Sequence, residues 1–336
     1  MDRGDETDRA LDPDPLAHVI AERLSRPAGS AGEAAARHIA DRHGRSVHAV
    51  LFYGSCLRTG VIEDRVLDFH VLVSDYRSAY PGRPFLALAN RLLPPNVFYD
   101  EFRWPAHGRE QDAAIIVLRS KYNVLSFATL DRWVRPECAN VTIWARFAQP
   151  MALALIRDEE SRVRVVAAAR RAVLATLAAA LPLCEAGADA AVVWACAFDL
   201  TYSAELRSEP PGKGREIYEF DSDYYDALFA PALEALGWPY ERDPAAAGGV
   251  RIHAAAPELA ARARRRWRWR RVIGKALSLA RLVKGAFTFD GGAEYLAWKI
   301  RRHSGVEITL TPFQRRHPVI AGLMLFWRLR RRGAFR

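Results

Sequence analysis

Val50 to Val73, VLFYGSCLRTGVIEDRVLDFHVLV, holds the residues whose types and spacing fit one chemistry. An apolar run ends in Gly54-Ser55, a polar loop follows, and a second apolar run carries Asp68. A strand, a Gly-Ser turn, a loop and a strand presenting a carboxylate is the layout of a nucleotidyl-transfer site. That chemistry needs backbone amides and a small hydroxyl to hold a triphosphate, a divalent metal to bridge phosphate oxygens, and carboxylates to hold the metal. Gly54 lets the backbone approach the phosphates closely. Ser55 offers a hydroxyl and an amide, and Asp68 faces the same side if the hairpin closes normally.

On a strand the residue two after Asp68 shares its face, and here it is His70. A neutral imidazole is a poor ligand for Mg²⁺, which prefers oxygen. A second carboxylate must come from Asp64, Glu63, Asp100 or Glu101, with Asp100 and Glu101 the first choices, or the site is degenerate. Without a site, Gly-Ser is an ordinary turn and Asp68 an ordinary strand-end acid. Lys121 follows a strand and could reach a phosphate. Arg146 lies among apolar residues and wants an anion or a carboxylate partner. Glu205 and Arg207 sit at a helix end, to pair with each other or to serve a site. His38, His43 and His48 lack metal-ligand spacing. Cys56, Cys138, Cys184 and Cys196 form no CxxC pair, so they read as buried or free thiols in a reducing compartment, not a zinc site.

The elements that must position these residues follow from hydrophobic spacing. Pro15 to His43 predicts two helices broken at Pro27–Ser30, the second ending near Gly44. Val47–Tyr53 and Arg65–Ser74 predict strands buried on both faces, with a loop over Arg58–Asp64. Asn96–Phe102 and Ala113–Arg119 predict two more strands. Lys121–Trp133 reads as a strand end passing into a short helix, and Thr142–Ala148 as helical. Long helices are expected over Glu159–Leu183, Ala188–Leu206 and Tyr218–Leu236, and Pro239–Gly249 is the clearest linker. The fold class is α+β: a nucleotidyltransferase-like mixed sheet with helices, a mainly helical second domain, and a basic C-terminal helical tail.

Charge divides the 336 residues unevenly. Residues 262–336 carry 20 Lys/Arg against 3 Asp/Glu, a local net of +17, while the remainder has a net of −7. The natural partner of that end is an anionic polymer or an anionic membrane. Arg264 to Arg271 interleaves Trp267 and Trp269 with arginines, which suits nucleic acid through phosphates and stacking or a membrane interface. Ile273, Leu277, Ala280 and Val283 at helical spacing, and Leu323–Leu329 further on, favour the membrane; nucleic acid is not expected. No window reaches the roughly 18 uncharged apolar residues of a spanning helix. The acidic N-terminus resembles neither a secretory signal nor a transit peptide. A peripheral protein on the cytoplasmic side of an inner membrane is the expectation.

Six separated segments resemble one family. They are YGSCL (53–57), LDF (67–69), KYNVLS (121–126), ARFAQP (145–150), LTYSAELR (200–207) and VKGAFTFDGGAEYLAWKI (283–300). In this order they resemble the mitochondrial-type CTP:phosphatidate cytidylyltransferases, the peripheral, translocator-maintenance type CDP-diacylglycerol synthases. That family commonly lacks an acid two residues after the Asp, as here. Cys56, Gln149 and Ala204-Glu205 depart from its preferred Gly, Lys and Gly-Asp, and its His- and Asn-rich stretch after the Asp strand has little counterpart. The N-terminal residues 1–15 read as a disordered lead, and the resemblance implies a nucleotidyltransferase domain at 16–150, a helical or winged-helix-like domain at 151–249 and a basic amphipathic membrane-associating region at 250–336. It implies that Gly54 and Ser55 hold the triphosphate of CTP, that Asp68 holds Mg²⁺, and that Lys121, Arg146 and Arg207 face phosphates of CTP or of phosphatidate. The rival readings are a nucleotidyltransferase with another acceptor, and an inactive nucleotidyltransferase fold that binds lipid or nucleic acid.

Overall fold

The computed structural model describes residues 14–105, 115–206, 212–289, 291–304 and 311–316. Arg207, the lead up to residue 13 and the apolar and arginine-rich run after 316 lie outside the described residues.

Asp14 opens α1 (Pro15–Leu24), its carboxylate accepting from the Leu16 and Ala17 amides, with proline in the first turn. α2 (Gly29–His43) stops at Gly44 and leads into β1 (Val47–Tyr53). Gly54 turns the chain into α3 (Ser55–Thr59), one helical turn at the start of the expected loop. Then come β2 (Val66–Val73), α4 (Tyr76–Ala79), α5 (Pro84–Leu92), β3 (Asn96–Pro105), β4 (Ile115–Ser126), α6 (Phe127–Trp133), α7 (Val141–Phe147) and β5 (Met151–Ile156). The remaining elements are α8 (Glu159–Ala180), α9 (Ala190–Ser203), α10 (Lys213–Glu219), α11 (Ser222–Leu236), β6 (Tyr240–Arg242), β7 (Val250–Ile252), α12 (Pro257–Thr288), α13 (Gly292–Ser304) and α14 (Pro312–Arg316).

The chain is mixed α and β, with helices around a five-stranded mixed sheet of order β3-β4-β2-β1-β5. β2 and β4 run parallel; the other neighbours run antiparallel. Val50, Leu51, Leu67, Phe69, Val71 and Leu72 are fully buried, as continuous apolar strands require when both faces are covered. Phe52 stacks on Phe69 at 5.0 Å. The small residues Ala31, Ala35 and Ala36 give α2 a close seat in this core.

Two compact units divide the chain, and neither is sequential. One comprises Pro27–Trp133, Met151–Arg162 and the chain from Arg271, and contains the sheet. The other is mainly helical and comprises α1, Val134–Pro150 and Val163–Arg270. This differs from boundaries at 150 and 249. α1 belongs to the helical unit because Arg23 pairs with Asp221 and Leu16, Ile20 and Leu24 are buried. β5 belongs to the sheet unit because it pairs with β1.

Pro239–Gly249 is not a linker. It carries β6 and leads to β7, and Arg251 Nε closes the hairpin at 2.6 Å from Asp243. The helix expected over Tyr218–Leu236 is two helices, α10 and α11, with the break at Phe220–Asp221. By length and composition alone the Glu159–Leu183 helical stretch could cross a membrane, but 67% of its apolar window is buried within the protein.

Candidate active site

Cross-strand partners share a face of a sheet. Tyr53 on β1 pairs with Asp68 on β2, Asp68 with Lys121 on β4, and Lys121 with Tyr99 on β3. The four side chains therefore form one row. Lys121 Nζ lies 2.9 Å from Asp68 Oδ1, the two side chains being 34% and 24% exposed. Burial pushes the Lys121 ammonium down, but the Asp68 carboxylate and the Tyr53 and Tyr295 hydroxyls outweigh it, leaving the pKa above the ordinary lysine value.

The turn beside this row admits only glycine easily. Gly54 has φ 89° and ψ −162°, and a Cβ on it would stand 3.2 Å from Asp68 Oδ2. Because Tyr53 is opposite Asp68, the Gly54-Ser55 turn begins one residue beyond the carboxylate. Ser55 follows as an exposed side chain at the start of α3.

The two acids expected to complement Asp68 part company. Asp100 is paired with Ser120 in the adjacent row, so it points to the opposite face. There its carboxylate meets His38 Nε2 at 2.9 Å and Arg42 Nη1 at 2.5 Å, both from α2. Asp100 and Asp68 are thus not brought together. Glu101 is on the Asp68 face, two residues along from Tyr99. It accepts from the Tyr99 hydroxyl at 2.5 Å and from Arg119 Nε at 3.2 Å. Burial first, then this bond to Glu101, raises the Tyr99 pKa. Glu63 is exposed. Asp64, at φ 45°, accepts from Trp298 Nε1 at 3.1 Å, Arg301 at 3.3 Å and Arg119 at 3.4 Å. His70 is fully buried, stacks flat on Tyr53 at 4.0 Å, and has Nδ1 2.8 Å from Asn123 Oδ1. It acts as packing behind the Tyr53 ring.

α13 returns to this face from far along the chain. The Tyr295 ring lies 5.4 Å from the Tyr99 ring and 5.7 Å from Lys121 Nζ. Gly291, at φ 76°, precedes the helix; a Cβ there would fall 2.2 Å from the Tyr99 carbonyl oxygen. Tyr99 and Arg119 lie outside the resembling segments, and Tyr53, Tyr295 and Trp298 lie within them without a role assigned from sequence. The i, i+2 spacing of Tyr99 and Glu101 and the i, i+3 spacing of Tyr295 and Trp298 are further signals that the sequence carries.

In the helical unit Arg146 Nη2 lies 3.9 Å from Glu205 Oε2. ARFAQP and LTYSAELR thus meet, and Glu205 has Arg146 as its neighbour. Gln149, where the resembled family prefers Lys, turns back to the Ala145 carbonyl at 3.0 Å.

Among the described residues no three His, Cys, Asp or Glu side chains gather into a metal cluster. A magnesium ion shared with a triphosphate needs only one or two protein carboxylates, since phosphate oxygens and water complete its shell. Asp68 offers one, with Oδ2 beside the Gly54 turn. The donor set fits an ion that arrives with a nucleotide and does not fit an all-protein cage. No protein-family profile matches the chain, and no curated protein matches it.

Proposed function

We propose that this protein is a Mg²⁺-dependent cytidylyltransferase that transfers CMP from CTP to phosphatidate, giving CDP-diacylglycerol and pyrophosphate. The observation that carries the reading is the packing of a positive-φ Gly54 against Asp68, with Ser55 exposed beyond it. A positive-φ backbone turn packed beside a carboxylate supports a reading in which the turn meets phosphates and the carboxylate shares a metal.

In this reading the Gly54-Ser55 turn orients the triphosphate of CTP. Asp68 holds the magnesium ion, which when bound neutralises charge on the phosphate oxygens. Lys121 stays protonated, because Asp68 raises its pKa, and serves as a fixed cation for phosphate and not as a base. Arg146 and Arg207 keep the phosphate roles that the resemblance gives them. A phosphatidate oxygen attacks the α-phosphorus of CTP in line. The new P–O bond forms as the bond to the bridging oxygen breaks, and pyrophosphate leaves with the electron pair. The acceptor is already an oxyanion, so no strong general base is required.

Docking on an anionic leaflet, on the cytoplasmic side of an inner membrane, would fall to the basic C-terminal part. On α12, Val272, Leu279, Val283 and Phe287 are exposed apolar residues, with Arg271 and Lys275 exposed beside them. Purified protein with CTP, phosphatidate vesicles and Mg²⁺ is expected to release pyrophosphate, and Asp68→Ala to abolish it. No magnesium-dependent release from the wild type would overturn the proposal. Release with another acceptor alone would keep the enzyme class and change the substrate.

One observation favours a second reading, an inactive fold that binds lipid. Glu101, the other acid on the Asp68 face, is engaged by Tyr99 and Arg119. That reading expects no turnover and lipid binding unchanged by Asp68→Ala.

A further inference from the structure

A cleft of about 860 Å³ opens in the sheet unit at the ends of β2 and β4, between α4, α5 and α6. It is separate from the Asp68 row. Asp68 and the cleft residue Ser74 are six positions apart along β2 and the residue after it, roughly 20 Å at strand rise. Each of the three helices sends one arginine to the cleft: Arg77, Arg91 and Arg132. Among the described residues none of the three has a carboxylate or other side-chain partner. The acid in the lining, Asp75, is spent elsewhere: its oxygens cap α4 through the Arg77 and Ser78 amides and take the Ser78 and Ser74 hydroxyls. These bonds to Ser78 hold its pKa below the ordinary carboxylate value. Three exposed arginines line one cleft with no counter-charge bonded to them among the described residues, which favours an anion there.

The rest of the lining says what kind of anion. Leu88 and Leu92 are 55% and 74% exposed on α5, and Phe85, 60% exposed, lies one turn before Leu88. The aromatic ring of the lining, Tyr76, is buried, and its hydroxyl donates to Thr129 Oγ1 at 2.9 Å. Within the lining no free ring is offered for a base to stack on, and Phe85 stands outside it, so a nucleotide or nucleic acid is poorly matched. A cationic rim beside exposed aliphatic side chains matches an amphiphile, and the volume is that of a single small-molecule site. We infer that this cleft binds one anionic phospholipid, its phosphate on Arg77, Arg91 and Arg132 and the start of its acyl chain on Leu88 and Leu92. The site is a lipid anchor on the opposite end of the strands from Asp68 and does not depend on the cytidylyltransferase reading.

The test titrates the full-length protein with monomeric dihexanoyl-phosphatidylglycerol, and separately with glycerophosphoglycerol, the same headgroup without chains. Phosphatidylglycerol is a phosphodiester and cannot accept CMP as phosphatidate would, so failure of the enzymatic reading leaves this measurement intact. Saturable lipid binding is expected, with the bare headgroup weaker by about tenfold or more. Arg91→Gln/Arg132→Gln should weaken lipid binding by about tenfold or more, as loss of charge-assisted hydrogen bonds requires. Leu88→Ser should weaken the lipid and leave the headgroup unchanged. Circular dichroism checks folding; if the double variant does not fold, the exposed single change Arg77→Gln takes its place. Unchanged lipid affinity in a folded arginine variant would overturn the inference. So would equal binding of the bare headgroup, which would mark a site for a soluble phosphate ester, or of a polyglutamate peptide, which would mark an acidic protein partner.

Discussion

Lys121 Nζ is held 2.9 Å from Asp68 Oδ1 across two parallel strands, in register. The pair joins a cation and a carboxylate that, separately, would each meet phosphate or metal. Exchange of Asp68 from Lys121 toward an incoming ion is therefore part of how the proposed site would load.

Lys121→Met is expected to leave Asp68 without its strand neighbour and to cost about 1–2 kcal/mol of stability, between the values for exposed and buried pairs. Urea unfolding measures this cost. In the proposed enzyme, the same change should also weaken nucleotide binding and lower pyrophosphate release. Asp68→Asn should retain the fold and lose magnesium-dependent turnover. An Asp68→Asn protein with full activity would remove Asp68 from the site.

Gly54→Ala puts a side chain at φ 89° with its Cβ 3.2 Å from Asp68 Oδ2. The expected cost is about 1–3 kcal/mol from the backbone alone, seen as a lower thermal midpoint. Gly44→Ala is the comparison, since it too has positive φ but open space around a new Cβ. Equal losses in the two variants would mean that the contact with Asp68 adds nothing.

Lys284 supplies a pH dependence. Its Nζ donates to the carbonyls of Leu93 and Pro95, each at 2.6 Å, and to Asn96 Oδ1 at 3.0 Å. Burial, and then the nearby Arg281, push its pKa down to about 7 from 10.5. Below about 7 the amine is charged in both the folded and the unfolded chain, and the cost of burying the charge is present in full. Between about 7 and 10.5 the unfolded chain holds the extra proton, so stability rises with pH across that window. Urea midpoints of the wild type should increase from near neutrality to mildly alkaline pH, against a flatter profile for Lys284→Met. A Lys284→Met profile parallel to the wild type would assign the rise to another group.

Asp64 ties β2's leading loop to α13 through Trp298 and Arg301. Asp64→Ala should loosen α13 while sparing the strands. Hydrogen exchange should quicken in the Gly292–Ser304 amides by more than in β2 or β4. Uniform quickening across the sheet would show instead that Asp64 supports the unit as a whole.

The sequence pattern disclosed the Gly54-Ser55 turn, β1, β2 and the carboxylate on β2, because those signals are local: β-formers, a glycine, an alternation of faces. β5 escaped because MALALI is rich in Ala and Leu, and only its pairing with β1 makes it a strand. The choice between Asp100 and Glu101 turned on strand register. Shifting β3 by one residue against β4 would exchange their faces, and the contacts that anchor its start, Asn96 to Asn90 and to the Leu86 carbonyl, reach a helix outside the strand segment. The return of α13 depends on contacts such as Trp298 with Asp64, which are 234 positions apart. No window along the chain contains that information. The helical unit hid its boundaries for a related reason: Arg23 finds Asp221 across nearly the whole of it.

The sheet unit draws on three separated stretches, the last beginning at Arg271. During synthesis the first four strands leave the ribosome well before α13 exists. At ordinary translation speeds, the wait from the end of β5 to the end of α13 lasts on the order of ten seconds. Through that interval the row from Tyr53 to Tyr99 lacks Tyr295, and Asp64 lacks Trp298 and Arg301. The nascent chain must guard that open face until its last third emerges, so translation products cut short before α13 would carry a complete sheet with one face uncovered.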